Sequence, residues 1–220
     1  MAITTRVYLP FKRSGITPDQ LETHTLKLAL LRPTYTPDYD ADEFYADLNA
    51  AAPVAITSSS VANPTNILTG AAHGLTTGDQ VLITGHAGST PAIAGSYVVT
   101  VVDATNFTIP VNVTVGGTGG TVAKSAELLG SGGYTVGGKT IDALADGVDI
   151  AGDFAYLDGD DVVWTALTPS AAFRYAALYD TTDADRLIFL IDFGADQDPA
   201  GFDFPVRWPV VASGGVLKVV

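Results

Sequence analysis

Between Ile56 and Thr121 short apolar runs alternate with turn chemistry so regularly that a helical fold is excluded there. Val81-Leu82-Ile83 is followed by a turn from Gly85 to Gly88. Then come Tyr97 to Val102, a turn at Asp103 to Asn106, and Phe107 to Ile109. Runs of a few β-branched or aromatic residues bounded by Gly, Pro, Asn and Asp predict a small antiparallel β unit. It reads as complete in itself, so the segments before and after it become two halves of one other domain. The expected organisation is an inserted small β unit over residues 54–123, interrupting an outer domain made of residues 1–53 and 124–220.

The flanks carry the same signature. Val7-Tyr8-Leu9 reads as a strand, and Thr17-Pro18 as the cap and first position of about one helical turn. Residues 25–31 (TLKLALL) read as a mostly buried strand stopped by Arg32-Pro33. In the acidic stretch PDYDADEFYADL, Phe44 and Leu48 fall four residues apart, which predicts a short amphipathic helix with an acidic first turn. After the connector at residues 50–53 and the insertion, Phe154 to Leu157, the turn Asp158-Gly159-Asp160-Asp161, and Val162 to Thr165 predict a hairpin. Phe173 to Tyr179 reads as a central strand turning at Asp180 to Asp183. Leu187 to Ile191, ended by Asp192-Phe193-Gly194, reads as a strand buried on both faces. Pro205 and Pro209 flank Trp208 and predict an edge strand or extended arm through Val211, before the chain closes with Val216 to Val220. The predicted class is all-β with minor α, a β-sandwich or jelly-roll-like outer domain interrupted by the inserted β unit.

Composition supports that class. Charged residues make up only 16% of the 220, against 47% hydrophobic, with 23 glycines and 12 prolines. So few charges with so many turn formers suit strands and turns better than helices. The formal charge of −13, from 24 acidic against 11 basic residues, repels phosphate backbones. Nucleic-acid binding is therefore not expected. The absence of cysteine excludes disulfides and thiolate metal sites. No run reaches the roughly 18 apolar residues of a membrane span, and no apolar segment follows the basic residues near the start. A soluble protein without a membrane partner is expected.

No catalytic constellation stands out. His24, His73 and His86 form no close pair, and His73, in Ala-His-Gly-Leu, reads as a turn residue. No G-x-S-x-G elbow accompanies a triad. Gly133, followed after four residues by Gly138-Lys139-Thr140, meets the spacing of a phosphate-binding loop. That loop would have to leave a buried parallel strand and open a helix, which Glu127-Leu128-Leu129 and Ile141 to Gly147 do not suggest. Asp158-Gly159-Asp160-Asp161 resembles half of a calcium loop but lacks the closing Glu, and Asp192, Asp196 and Asp198 form a second acidic group. A structural calcium is the one metal these acids leave open, and carboxylates in turns more often bond their own backbone. No cofactor, catalytic residue or metal ligand is assigned.

The inserted stretch resembles a module that recurs in bacteriophage virion proteins. The residues that carry the likeness are Ala62-Asn63-Pro64, then Ala72-His73-Gly74-Leu75, then Thr77-Gly78-Asp79, Val81 and Ile83, and Val101-Val102-Asp103-Ala104-Thr105-Asn106-Phe107. The module is similar in name and sequence to a small β-barrel first described in ubiquitin-activating enzymes. The adenylating and cysteine parts are missing, so no ligase chemistry is implied. This chain departs from the commonest form at residues 89–95, where an Asn-Gly turn is often seen. The flanks resemble a small phage structural family through Leu26 to Leu31, Tyr35-Thr36-Pro37-Asp38, Asp42-Glu43-Phe44 and Gly133 to Lys139. The likeness continues through Asp160 to Trp164, Tyr175 to Asp180, and Leu187 to Gly194. Family members pass directly from the DEFYADL segment to the GGYTVGG segment.

The resemblance implies a non-enzymatic structural protein of a tailed-phage virion, made in the host cytoplasm. A capsid decoration or head-surface protein is expected, with a tail or neck component or a host-surface glycan adhesin as the alternative. Its partners would be the major capsid protein or other virion proteins, and it would form a homo-oligomer, with a trimer favoured. Tyr8, Phe11 and Trp208, aromatics near the termini, are the candidate interface residues, because aromatic anchors dominate contact energy.

Overall fold

The computed structural model describes residues 4–48, 53–130, 132–210 and 215–219. The connector at residues 50–52, Val211 and Val220 lie outside the described residues. The chain divides into two compact units, Met1–Leu48 with Gly130–Val220, and Asn49–Leu129. Strand dominates both, and the chain is all-β with minor α.

Strand β1 (Thr4–Val7) is followed by helix α1 (Leu9–Ser14), α2 (Pro18–Glu22) and strand β2 (Leu26–Leu31). The strand expected at residues 7–9 stops at Val7, because Pro10 in the first turn of α1 has a backbone preset for a helix start. Gly15, at φ 72°, ends α1 in the left-handed region. In α2 the side-chain carbonyl of Gln20 accepts the Thr17 amide at 3.0 Å, half of a capping box.

The amphipathic helix expected around residues 38–48 is not formed; only a 3-10 turn, Tyr45–Leu48, is present. Its carboxylates are the reason. Asp38 accepts the amides of Asp40 and Ala41, Asp42 accepts that of Asp38, and Asp47 accepts those of Glu43 and Phe44. Amides bonded locally to side chains are withdrawn from a helical ladder.

The inserted unit holds β3 (Val54–Ser59), β4 (Thr65–Thr69), β5 (Gln80–Thr84), β6 (Gly95–Val98), β7 (Thr100–Val101), β8 (Asn106–Ile109) and β9 (Thr121–Lys124). They form one antiparallel seven-stranded sheet in the order β6-β5-β9-β3-β4-β8-β7. The strands at its two ends, β6 and β7, are separated in sequence by Val99 alone. The sheet must therefore curl until its edges meet, and the result is a nearly closed barrel. Val99 is buried at that seam and its amide donates to the Asp79 carbonyl at 2.9 Å. Eleven buried side chains fill the barrel, among them Ile56, Ile67, Val81, Ile83, Phe107 and Val122, and every one belongs to this unit.

The chain continues through β10 (Lys139–Thr140), β11 (Ala145–Asp149), β12 (Phe154–Asp158), β13 (Val162–Leu167), β14 (Phe173–Asp180), β15 (Arg186–Gln197), β16 (Phe202–Val206) and β17 (Leu217–Val219). The outer unit's main sheet runs β1-β15-β14-β2-β10. Its central pairing joins β2, before the insertion, to β14, after it, with Leu178 opposite Leu28 and Ala177 opposite Ala29. Leu187 to Ile191 are buried on both faces of β15. β15 does not end at Asp192-Phe193-Gly194. It bulges there, with Tyr175 opposite Asp192 but Phe173 opposite Gln197, and Gly194 at φ 76° absorbs the extra residues.

Two smaller sheets complete this unit, β11-β12-β17 and β13-β16. The hairpin expected from residues 154–165 is thus corrected: β12 and β13 are both strands, but they belong to different sheets. The Asp158 to Asp161 turn carries the chain from one to the other, and Gly159 sits where an added Cβ would press 2.7 Å from Ile141 Cγ2. Aromatic rings join β14 and β15 to β16. Phe204 meets Phe173 edge-on at 4.9 Å between centroids and Phe193 at 5.3 Å.

Candidate functional site

Two of the three terminal aromatics are not surface anchors. Tyr8 is fully buried and Phe11 nearly so. Tyr35 donates its hydroxyl proton to Asp42 at 2.6 Å, so Tyr8, 3.0 Å from the Tyr35 oxygen, is the donor to Tyr35. Burial pushes both phenols well above their usual range and raises the Asp42 carboxyl as well. This relay ties the 38–42 loop to the start of the chain. Trp208 differs: it follows β16, is half-buried, and belongs to no strand, so the extended-arm reading describes it.

The acidic turn has a partner of its own. The Asp161 carboxylate accepts the Trp208 amide at 3.0 Å and the Asp160 carbonyl accepts the indole N–H at 2.9 Å. Among the described residues no group of three or more His, Asp or Glu converges to hold a metal ion. The loop-like Gly133 to Thr140 runs into strand β10, paired with β2, rather than into a helix. An added Cβ at Gly138 would overlap the Leu28 carbonyl, so that glycine permits close approach of two backbones. Lys139 donates to the Val163 carbonyl at 2.7 Å.

The histidines are absorbed singly. His24 Nδ1 lies 2.5 Å from the carboxylate of the buried Asp180. His73 Nδ1 accepts the Leu75 amide at 3.0 Å, which places the proton of the neutral ring on Nε2. His86 makes the one arrangement with a catalytic outline. Its Nδ1 donates to the Gly119 carbonyl at 2.8 Å, and its Nε2 accepts from the Ser59 hydroxyl at 3.0 Å. An oriented His beside a Ser is the geometry of an activated nucleophile. Both residues are only 7% exposed, and the Ser59 oxygen already accepts the Gly117 amide at 2.9 Å. An added Cβ at Gly117 would stand 2.7 Å from His86 Nε2, so no space for a substrate carbonyl opens beside the pair. The dyad is a buried brace of the barrel. Ser59 and His86 lie 27 residues apart and no local motif joins them, which is why sequence reading missed the pair.

An apolar cleft of about 480 Å³ in the outer unit has the character of a binding site. Phe189, Ile191 and Phe193 of β15, Phe204 to Val206 of β16, and Trp208 line it. Trp208 packs edge-on to Phe189 at 6.3 Å. The ionisable lining residues are Arg207 and Lys218, both cationic and both exposed. Lys218 lies over the Phe154 ring at 3.9 Å, and Arg207 makes no ion pair among the described residues. The volume falls within the roughly 300–1,000 Å³ of ligand pockets. Of the sequence-selected residues only Trp208 reaches this site.

No protein-family model matches the chain, and no curated protein is significantly similar to it.

Proposed function

We propose that this chain is a structural protein of a tailed-phage particle, a capsid decoration or head-surface protein that binds other virion proteins through its outer unit and carries the inserted barrel as its displayed part. One observation carries the reading beyond the motif resemblance. The insertion has a core of its own, and it enters and leaves on neighbouring strands: β3 and β9 pair, with Val54 opposite Val122 and Ala55 opposite Thr121. A module attached in this way adds a surface while leaving the continuity of the host sheet to the β2–β14 pairing.

The motif residues fit that role because their work is to hold turns. Asp103 accepts the amides of Thr105 and Asn106, and Asp79 accepts that of Thr76 and pairs with Lys124 at 2.8 Å. Purified protein mixed with bare capsids and imaged by cryo-electron microscopy tests the proposal. Regular occupancy at symmetry positions is the expected result. Absence from shells, with density at the tail or neck of whole virions, would replace it with the tail reading.

A further inference from the structure

We propose that the aromatic cleft beside Trp208 is the docking site for an acidic, aromatic-bearing peptide segment of the protein to which this chain binds. The inference deepens the virion reading and rests on it for the kind of partner. The half-buried rings of Phe204 and Trp208, backed by the buried rings of Phe189 and Phe193, offer the flat apolar contacts that bind another aromatic side chain. Charge then selects among apolar occupants. In a chain with 24 acidic and 11 basic residues, the ionisable side chains lining this cleft among the described residues are Arg207 and Lys218. The Asp161 carboxylate beside the cleft is taken up by the Trp208 amide, so the two lining cations are the charges an occupant meets, and they attract carboxylates and disfavour cationic segments.

The mode of entry follows from β16. Among the described residues it pairs only with β13, and Phe204, Pro205 and Val206 line the cleft. Pro205 has no amide hydrogen to give an added strand, so the occupant docks by its side chains rather than by extending the sheet. The hydrogen bonds from Trp208 to Asp160 and Asp161 hold the indole in place before anything binds, which lowers the ordering cost of docking.

The test uses the full chain and two capped peptides, acetyl-Asp-Leu-Asp-Phe-Asp-amide and the same peptide with Lys in place of Asp. Binding is read from the Trp208 indole signal in nitrogen–proton NMR, assigned with Trp208→Phe. The acidic peptide is expected to shift that signal, and the basic one to bind at least about tenfold more weakly. The double variant Arg207→Glu/Lys218→Glu changes only exposed side chains and should abolish the difference. Equal response to both peptides, or an acidic-peptide affinity unaltered in the double variant, overturns the proposal. So does binding of anilinonaphthalene sulfonate with no peptide response, which would mark a site for small amphiphilic anions. Co-sedimentation with bare shells separates this inference from the virion reading. If the native chain fails to sediment while the peptide result holds, the virion reading falls and the cleft assignment stands. If the native chain and the double variant sediment alike, the cleft assignment falls.

Discussion

Ser59 and His86 brace the barrel through a chain of bonds running from the Gly117 amide through the Ser59 hydroxyl and the His86 ring to the Gly119 carbonyl. His86→Ala leaves the buried Ser59 hydroxyl proton without its acceptor. It should cost the barrel about 1–3 kcal/mol, read as a lower urea midpoint. Unchanged stability would show that the brace is dispensable. Asp42 gives a second residue-scale prediction. Burial raises its carboxyl above the usual value despite the bond from Tyr35, so the folded chain holds that proton more tightly than the unfolded chain. The contribution is present below the unfolded value and lost as pH rises through the folded one. Asp42→Asn retains an acceptor for Tyr35 but does not titrate. The advantage of the native chain over the variant should therefore shrink in urea titrations as pH rises from about 4, the unfolded value, through the higher folded one. An advantage that grows with pH would contradict the assignment. Trp208 was legible as a special residue because its flanking prolines forbid a central strand. Tyr8 and Phe11 were misplaced because an aromatic in a short mixed segment reads alike whether its ring packs inward or outward.

At the scale of elements, strands were more legible than their partners. Leu26 to Leu31, Phe173 to Tyr179 and Leu187 to Ile191 are mostly apolar runs, and each lies in a strand of the main sheet. The pairing of β12 and β13 was misread because two good strands around an Asp-Gly turn satisfy every local rule for a hairpin. Pairing is decided instead by which sheet each strand completes. The cleft was illegible for the same reason: its rings come from β15, β16 and the arm beyond, brought together only by sheet packing. In the barrel, the Asp79–Lys124 pair clasps the start of β5 to the end of β9. Burial works to raise Asp79, but the Lys124 ammonium and the Thr76 amide outweigh it and hold the carboxyl below its usual range. A depressed folded-state value adds stability above the unfolded value and forfeits it as pH falls through the folded one. Lys124→Met should therefore destabilise at neutral pH by less than about 1 kcal/mol, and its deficit should vanish on acidification. A deficit that persists after acidification has protonated Asp79 would mean that Lys124 acts through its packed stem instead.

For the molecule as a whole, the decisive property is that two cores share one chain. The eleven buried residues of the barrel all come from one unit, whereas the main sheet of the other is closed by strands on both sides of it in sequence. Two such cores unfold as separate cooperative events unless their interface couples them. A chain in which Asn-Gly replaces residues 56–120 tests this directly, because Ala55 and Thr121 are cross-strand partners and a two-residue turn spans such a pair. Calorimetry of the native chain should resolve two transitions, and the shortened chain should retain one of them at an unaltered midpoint. The His86→Ala and Lys124→Met substitutions should move only the transition that the shortening removes. If the shortened chain instead loses all cooperative unfolding, the outer unit depends on its insertion for stability. The barrel would then be part of the structural core of the protein rather than a surface it carries.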